Sequence, residues 1–425
     1  MSLEGAIAAN GNTRGWSTIA FRSLFSQSKA DNRPNYPLLG VNLHSGVTQR
    51  SANDGRPAAS EDLTAYKVVA PGNIIMNRLG KPHGSVGMSP WEGITSPAYW
   101  VMGVNPQLGE PRFLHHLLRS RHLVAEYERL GKNQPPNQFD ISWDAFRAIE
   151  IPLPSLEEQR HIADFLDAET ARINQLTSMR VRQSKLLDDR RRSQLSELIE
   201  SLTQRFGCIR LRHVLLRIEQ GWSPQCEDRL AEHGEWGVVK AGCVNSGRFD
   251  PIQHKALPSD VKPRREFALK KGDLLMSRAS GSLDLIGSVG VVGEISDNLL
   301  LCDKVYRIKL DWTRAQADFV AHVLRGHQAR ERIKNGISGA EGMANNLPTS
   351  VIKDLLLPNV PVSKQASFSD SLRLRAESVA RARDSLHRSI QTLTERRQAL
   401  ITAAVTGQFD VSTASGRNVT DGVTA

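Results

Sequence analysis

The stretch from Ile151 to Leu202 constrains this chain more than any other. It opens Ile151-Pro152-Leu153-Pro154-Ser155-Leu156-Glu157-Glu158-Gln159-Arg160-His161-Ile162 and then meets no glycine or proline until Gly207. A residue before proline is pushed out of the α region, so the two prolines hold the approach extended. Ser155 and Glu158 have the S-x-x-E spacing of a capping box, which satisfies free N–H groups at a helix start. Beyond it Ile162, Leu166, Ile173, Leu176, Leu187, Leu195, Leu198 and Leu202 recur at helical steps or multiples of them. The pattern predicts one amphipathic helix, longer than an ordinary globular helix.

The chain does this twice. Leu357-Pro358-Asn359-Val360-Pro361-Val362-Ser363-Lys364-Gln365 answers Ile151 to Gln159, and Leu372, Val379, Leu386, Leu393 and Leu400 then follow at seven-residue spacing. Ahead of each predicted helix the same order of short apolar runs appears. Val41-Asn42-Leu43-His44-Ser45-Gly46 is answered by Ala241-Gly242-Cys243-Val244-Asn245-Ser246-Gly247. Val68 to Arg78 is answered by Phe267 to Arg278, with Gly72/Gly272, Met76/Met276 and Arg78/Arg278 in matching places. The strand around Tyr99 returns as Cys302 to Arg307. A short helix predicted over Phe113 to Leu130 returns over Ala317 to Lys334. A tandem duplication of one unit is the economical reading.

The predicted fold is therefore α+β. A first globular domain over 1–150 precedes a spacer helix over 151–205; a second domain over 206–356 precedes a helix over 357–411; a disordered tail is expected over 412–425. Packed antiparallel as a coiled coil with pseudo-twofold symmetry, the helices would set the globular domains at opposite ends. About 45 helical residues at roughly 1.5 Å each make a strut of the order of 65 Å. That exceeds one turn of B-DNA, about 34–36 Å.

Composition narrows the function classes. The 425 residues suit several domains, and 40% hydrophobic residues suffice for real cores. No apolar run reaches the roughly 18 residues of a membrane span, and Met1 to Gly15 lacks a signal-peptide layout, so a cytoplasmic protein is expected. The four cysteines, Cys208, Cys226, Cys243 and Cys302, form no C-x-x-C and read as reduced thiols; no metal site is predicted. A net charge of +10 favours a polyanionic partner. Charges nearly balance along the first long helix, so the excess lies elsewhere.

These features together resemble the specificity subunit of Type I restriction-modification systems. The resemblance rests on Ile151-Pro152-Leu153-Pro154 with Glu157-Glu158-Gln159-Arg160 and Ile162. It also rests on Gly72-Asn73-Ile74-Ile75-Met76 with its echo Gly272-Asp273-Leu274-Leu275-Met276, and on the closing Leu400 to Val411. It covers nearly the whole chain; the departure is Ser363-Lys364-Gln365, where a Glu-Gln pair is typical, which should weaken the second helix cap. The resemblance implies a non-catalytic reader of double-stranded DNA. Each globular domain would be a target recognition domain for one half of a split, asymmetric site. The helices would dock two methyltransferase subunits, through which restriction subunits could join. S-adenosylmethionine, ATP and magnesium would then belong to partner subunits, and none to this chain.

Catalytic motifs are weak by comparison. Asn105-Pro106-Gln107-Leu108 lacks the second proline and the aromatic of the adenine methyltransferase motif. Gly80-Lys81 is not a phosphate loop. His115, His116 and His122 on one short helix read as packed or solvated. The rival reading is a stand-alone DNA methyltransferase or nuclease with a divergent centre; a scaffold that touches no DNA is a second.

Candidate DNA contacts follow the apolar strands into loops: Arg78, Lys81 and His83 in the first repeat, Arg278 and Ser280 in the second. Arginine can take guanine O6 and N7 together, and lysine or serine can hold phosphate. Arg119, Arg121 and Lys132, and Arg330, Arg332 and Lys334, are candidates for phosphate. Partner-helix packing is expected at Ile162, Leu166, Ile173, Leu176 and Leu187, and at Leu372, Val379, Leu386, Leu393 and Leu400. Trp100, Met76 and Met276 are expected in the core.

Overall fold

The computed structural model describes residues 15–28, 35–43, 45–50, 62–78, 85–134, 138–295, 298–338 and 345–411. The tail 412–425 and the candidates Lys81 and His83 lie outside them. The chain divides into two compact units: 1–181 with 387–425, and 182–386. The division runs through both long helices, Leu156–Phe206 of 51 residues and Val362–Val405 of 44. Each unit thus holds one globular half, the start of one long helix and the end of the other.

In the first unit a four-stranded antiparallel sheet runs Phe25–Gln27, Tyr99–Val104, Ile74–Asn77, Val86–Met88. Ile74, Ile75, Met76, Val101 and Met102 are buried, so both faces of this short sheet carry apolar side chains. On one face lies a cluster with Phe21, Phe113, Leu114, Tyr127 and Phe146; on the other are Leu39, Val41, Val69, Ile75 and Val101. The first cluster continues into Ile162, Leu166 and Ile173 of the first long helix and Leu400, Ile401, Ala404 and Val405 of the second. The start of one helix lies along the end of the other, so they run antiparallel. The strand Ser17–Ala20 pairs antiparallel with Glu150–Leu153, anchoring the extended Pro152-Leu153-Pro154 approach.

The second unit repeats this plan. Its four-stranded sheet runs Leu215–Gln220, Val305–Leu310, Leu274–Ser277, Val289–Val291, and Cys208–Arg210 pairs with Leu356–Pro358. Its main cluster joins Leu274, Met276, Ile308, Phe319 and Leu324 to Leu202, with Leu198 and Phe368 packed against it. Gly72 and Gly272 both have positive φ, +86° and +85°, where a side chain is strained. Asn73 Oδ1 and Asp273 Oδ2 accept from the amides of Ala70 and Lys270, each at 2.9 Å, closing the same turn before the same strand. The α+β expectation, with a long helix after each β-rich half, describes this architecture.

Two local expectations change. The helix expected over Phe113 to Leu130 is two, Pro111–Leu118 and Arg121–Leu130, and that over Ala317 to Lys334 is also two, Ala317–Leu324 and His327–Asn335. Ser120 and Gly326 take extended backbone angles at the breaks. At Gly326 a Cβ would stand 2.5 Å from Ile199 Cδ1 of the long helix, so any larger residue there would have to displace that side chain. The loops diverge as well: Leu39–Asn42 and Gly46–Gln49 form a hairpin, whereas the matching Ala241–Val244 is a 3-10 turn.

Candidate nucleic-acid interface

The junction between each globular half and its long helices is fixed by a buried glutamine. Gln159 donates from Nε2 to the carbonyls of Leu108 (2.8 Å) and Pro154 (2.9 Å), and its Oε1 accepts from the Glu110 amide at 2.8 Å. Gln365 does the same with Arg314 (3.1 Å), Val360 (2.8 Å) and the Gln316 amide (2.8 Å). Both are essentially buried, at 0% and 2% exposure. A buried amide with three partners avoids the cost of unmet polar groups and ties the helix start to the loop before the short helices. Ser155 Oγ accepts from the Glu158 amide at 3.3 Å, and Glu158 turns its carboxylate to the Trp16 indole, 3.2 Å away. Ser363-Lys364 in the second repeat leaves the glutamine latch intact.

The candidate contacts divide by what already holds them. Arg78 leaves the strand Ile74–Asn77 and donates from Nη1 to both carboxylate oxygens of Asp140 at 3.0 Å. Lys132 stands opposite Asp140 in the pairing of Lys132–Gln134 with Gln138–Asp140. Arg278 reaches the Asp303 carbonyl at 3.3 Å and lies 6.0 Å from the Tyr306 ring centre. Ser280 Oγ accepts from the Ser282 amide at 3.3 Å. Arg119 turns inward to the carbonyls of Val86 and Leu43. Arg330 donates to the carbonyls of Ile286 and Asp284 at 2.8 Å, and Lys334 pairs with the Asp284 carboxylate at 2.8 Å. Arg121 and Arg332 are exposed on their helices. The arginines held by backbone carbonyls, Arg119 and Arg330, keep their charge while losing rotamer freedom.

In the second unit these cations border a groove of about 1410 Å³ between the globular half and the long-helix segments. Arg330 and Lys334 line it, and so do Arg191, Arg248, Arg325 and Arg375, which were not predicted. Arg119 and Arg325 hold matching repeat positions, so the predicted Arg119 could have drawn attention to Arg325.

On the long helices Ile162, Leu166, Ile173 and Leu400 are buried, Leu393 packs against them, and Leu187, Leu372, Val379 and Leu386 are half-buried. Leu176 is 38% exposed, and Met179, Val181, Leu186 and Leu374 are more than half exposed. His116, buried, meets Asp167 of the first long helix at 2.9 Å; burial with His116 and Arg119 nearby pushes His115 down to about 3. Among the described residues no three His, Cys, Asp or Glu gather as a metal-binding group. Within the same residues no helix is long and apolar enough to cross a membrane. The cysteines are free, and burial pushes the Cys302 thiol up to about 11.

Each unit thus has a β-rich half packed on segments of the long helices, and known proteins share this fold. Residues 19–183 match the family described as Type I restriction modification DNA specificity domain. The specificity subunit of the Type I restriction enzyme StySPI from Salmonella potsdam is 23% identical over 272 residues, 61% of this chain and 57% of that protein. That of EcoKI from Escherichia coli K12 is 24% identical over 271 residues, 60% of this chain and 56% of that protein. These matches span little more than half the length of each relative. A chain solved in work on complex assembly and conformational transition of the Type I restriction-modification system superposes with a TM-score of 0.69. At 17% identity, that alignment covers 94% of this chain and 100% of that one. Residues 19–183 thus match a Type I restriction modification DNA specificity domain, and more than half of the chain is similar to specificity subunits of Type I restriction enzymes.

Proposed function

We propose that this chain reads a bipartite, asymmetric site in double-stranded DNA, with target recognition domains over 1–150 and 206–356 and spacers over 151–205 and 357–411. The observation that carries the reading is the doubling of one scaffold, glutamine latch and glycine turn included, beneath loops that differ. Equal scaffolds give equal placement on a duplex; unlike loops give unlike half-sites. Base contacts from Arg78 and Arg278, with Lys81, His83 and Ser280 beside them, would supply the direct readout. Arg121, Lys132, Arg332 and Lys334 would hold phosphate.

The exposed Met179, Val181, Leu186 and Leu374 favour partner helices along the spacer. Two methyltransferase subunits follow from the repeat, with restriction subunits joining through them. Those partners would bring S-adenosylmethionine, ATP and magnesium. The test is co-purification with the methyltransferase encoded beside this chain, then single-molecule sequencing of the modified DNA. Two partners per chain and methylated adenines in a split asymmetric motif are expected; a palindromic motif, or a chain that ignores the methyltransferase, would overturn the reading.

A further inference from the structure

Both units carry an arginine at the same place, just past an interior strand of the four-stranded sheet. Arg78 follows Ile74–Asn77 and Arg278 follows Leu274–Ser277. In each, one nitrogen alone is taken. Arg78 donates from Nη1 to both oxygens of Asp140 at 3.0 Å, and Arg278 donates from Nη1 to the Asp303 carbonyl at 3.3 Å. Nη1 lies on the Cδ side of the guanidinium plane. Nε and Nη2 form the parallel pair on the other side, and in neither arginine do they meet a hydrogen-bond acceptor among the described residues. The side chains of Arg78 and Asp140 are 33% and 31% exposed, so a large ligand can reach the pair.

The anchors differ. Asn346 follows Asp140 at the same interval along the chain as Gln365 follows Gln159, so the second repeat has a neutral amide where the first has a carboxylate. Its anchor is a turn instead. Ser223 Oγ accepts from the Asp303 amide at 3.2 Å and donates to the Asp303 carboxylate, which fixes the carbonyl that Arg278 uses. The Arg278 backbone is pinned on both sides: its N–H donates to the Lys304 carbonyl at 2.8 Å, and its C=O accepts from the Leu347 amide at 3.0 Å. In the first unit Lys67 is near enough to Arg78 for the two charges to oppose each other, while its ammonium donates to the Tyr99 carbonyl at 2.7 Å. Asp140 therefore holds the Arg78 guanidinium against a push from Lys67.

We infer that each strand-end arginine turns its Nε–Nη2 edge to one guanine, with Asp140 as the positioning residue in the first unit and the Ser223–Asp303 turn in the second. The inference rests on the DNA-reading function proposed above. Guanine presents O6 and N7 side by side in the major groove, two acceptors for two parallel donors. A guanidinium held at its third nitrogen keeps that edge flat and has less freedom left to lose on binding. A phosphate could also accept from such an edge, but the Asp140 carboxylate beside it repels a phosphate and tolerates a neutral base. Arg278 keeps its full charge and Arg78 has it balanced, so one arginine position serves two half-sites through different anchors.

The test takes the full chain, purified with the methyltransferase encoded beside it, and sequences the duplexes it selects from a random-sequence pool. The native complex is expected to prefer guanine at one position in each half-site. R78Q should lose that preference at one position only, by roughly 5- to 150-fold, the worth of one bidentate pair, and R278Q at one position of the other half-site. D140N should lose it at the same position as R78Q and yet bind mixed-sequence duplex more tightly, because a negative charge has left the interface. A carboxylate that merely held the fold would not tighten binding. D140E should restore the preference, and S223A should weaken it at the R278Q position. The half-site that a variant leaves untouched checks that the variant is folded. Native-like guanine preference in R78Q and R278Q, or loss of selectivity at every position in D140N, would overturn the inference and leave the DNA-reading function standing. A native complex that enriches no sequence would overturn both.

Discussion

The two sheets share a backbone plan but solve the burial of one position in opposite ways. In the first unit Val101 sits opposite Ile75, fully apolar. In the second, Arg307 sits opposite Leu275 and is 5% exposed. It pairs with Glu219 and Asp273 and donates to the carbonyls of Ala268 (2.7 Å) and Glu266 (2.9 Å), while Lys309 takes the other oxygen of Asp273. The first repeat has Asn73 where the second has Asp273, and Gly103 where it has Lys309. One residue pattern can therefore keep a fold while exchanging dispersion for a charge network. The exchange gives no stability by itself, because desolvation offsets the Coulomb gain.

The comparison breaks most visibly at Arg307. Arg307→Met should destabilise the second unit by about 3–5 kcal/mol, because it leaves Asp273 to Lys309 and Glu219 to the exposed Arg217 and leaves the carbonyls of Ala268 and Glu266 unmet, whereas Val101→Met in the first should cost under about 3 kcal/mol, an overpacking effect. Urea unfolding followed by protease protection of each half checks this; equal losses would mean the network is not a unit. Next come the latches. Gln159→Ala and Gln365→Ala should each cost about 3 kcal/mol, because each leaves a buried amide and two carbonyls unmet. Calorimetric midpoints that differ widely between the two variants would show that the repeats do not share this joint.

Acid should separate the units more gently. His115 is pushed to about 3 and His322 to about 4, both below the ordinary 6.5 and both chiefly by burial. A lowered folded-state value means the unfolded chain binds the proton first, so stability is lost as pH falls below 6.5. The loss is at most about 1.4 kcal/mol per pH unit for each histidine, ending near pH 4 for His322 and continuing toward pH 3 for His115. Unfolding monitored from pH 7 to pH 4 should steepen, and His115→Gln should flatten the first unit's share; no change would place that ring in water. The smallest effect expected is at the cap: Ser155→Ala should cost about 0.5–1 kcal/mol, read as a small shift in the urea midpoint.

Much of this was legible from spacing. The leucine period gave both long helices, and the order of short apolar runs gave the duplicated α+β halves, because burial imposes those periods. Gln159 and Gln365 were quoted in their motifs without a role. A polar side chain at a helix start reads as a cap, and burial appears only when the Leu108 and Arg314 carbonyls converge on it from elsewhere in the chain. Arg307 was legible only as a charged residue in a strand; its burial depends on Glu219, a distant neighbour across the sheet. The carbonyl partners of Arg119 and Arg330 follow from breaks in the short helices that no period signals.

The first unit's core is closed by residues from both ends of the described chain. The rings of Phe165 and Phe409 lie 5.6 Å apart and tilted by 36°, a Cβ on Gly407 would stand 3.2 Å from Trp16, and Leu400, Ile401 and Val405 complete the cluster around Phe21 and Phe113. On the ribosome, residues 182–386 are made between the two parts of that core. At roughly 5–20 residues per second, those 205 positions take about 10–40 s to synthesise. Through that interval Ile162, Leu166 and Ile173 wait without their partners, so the half translated first is the half finished last.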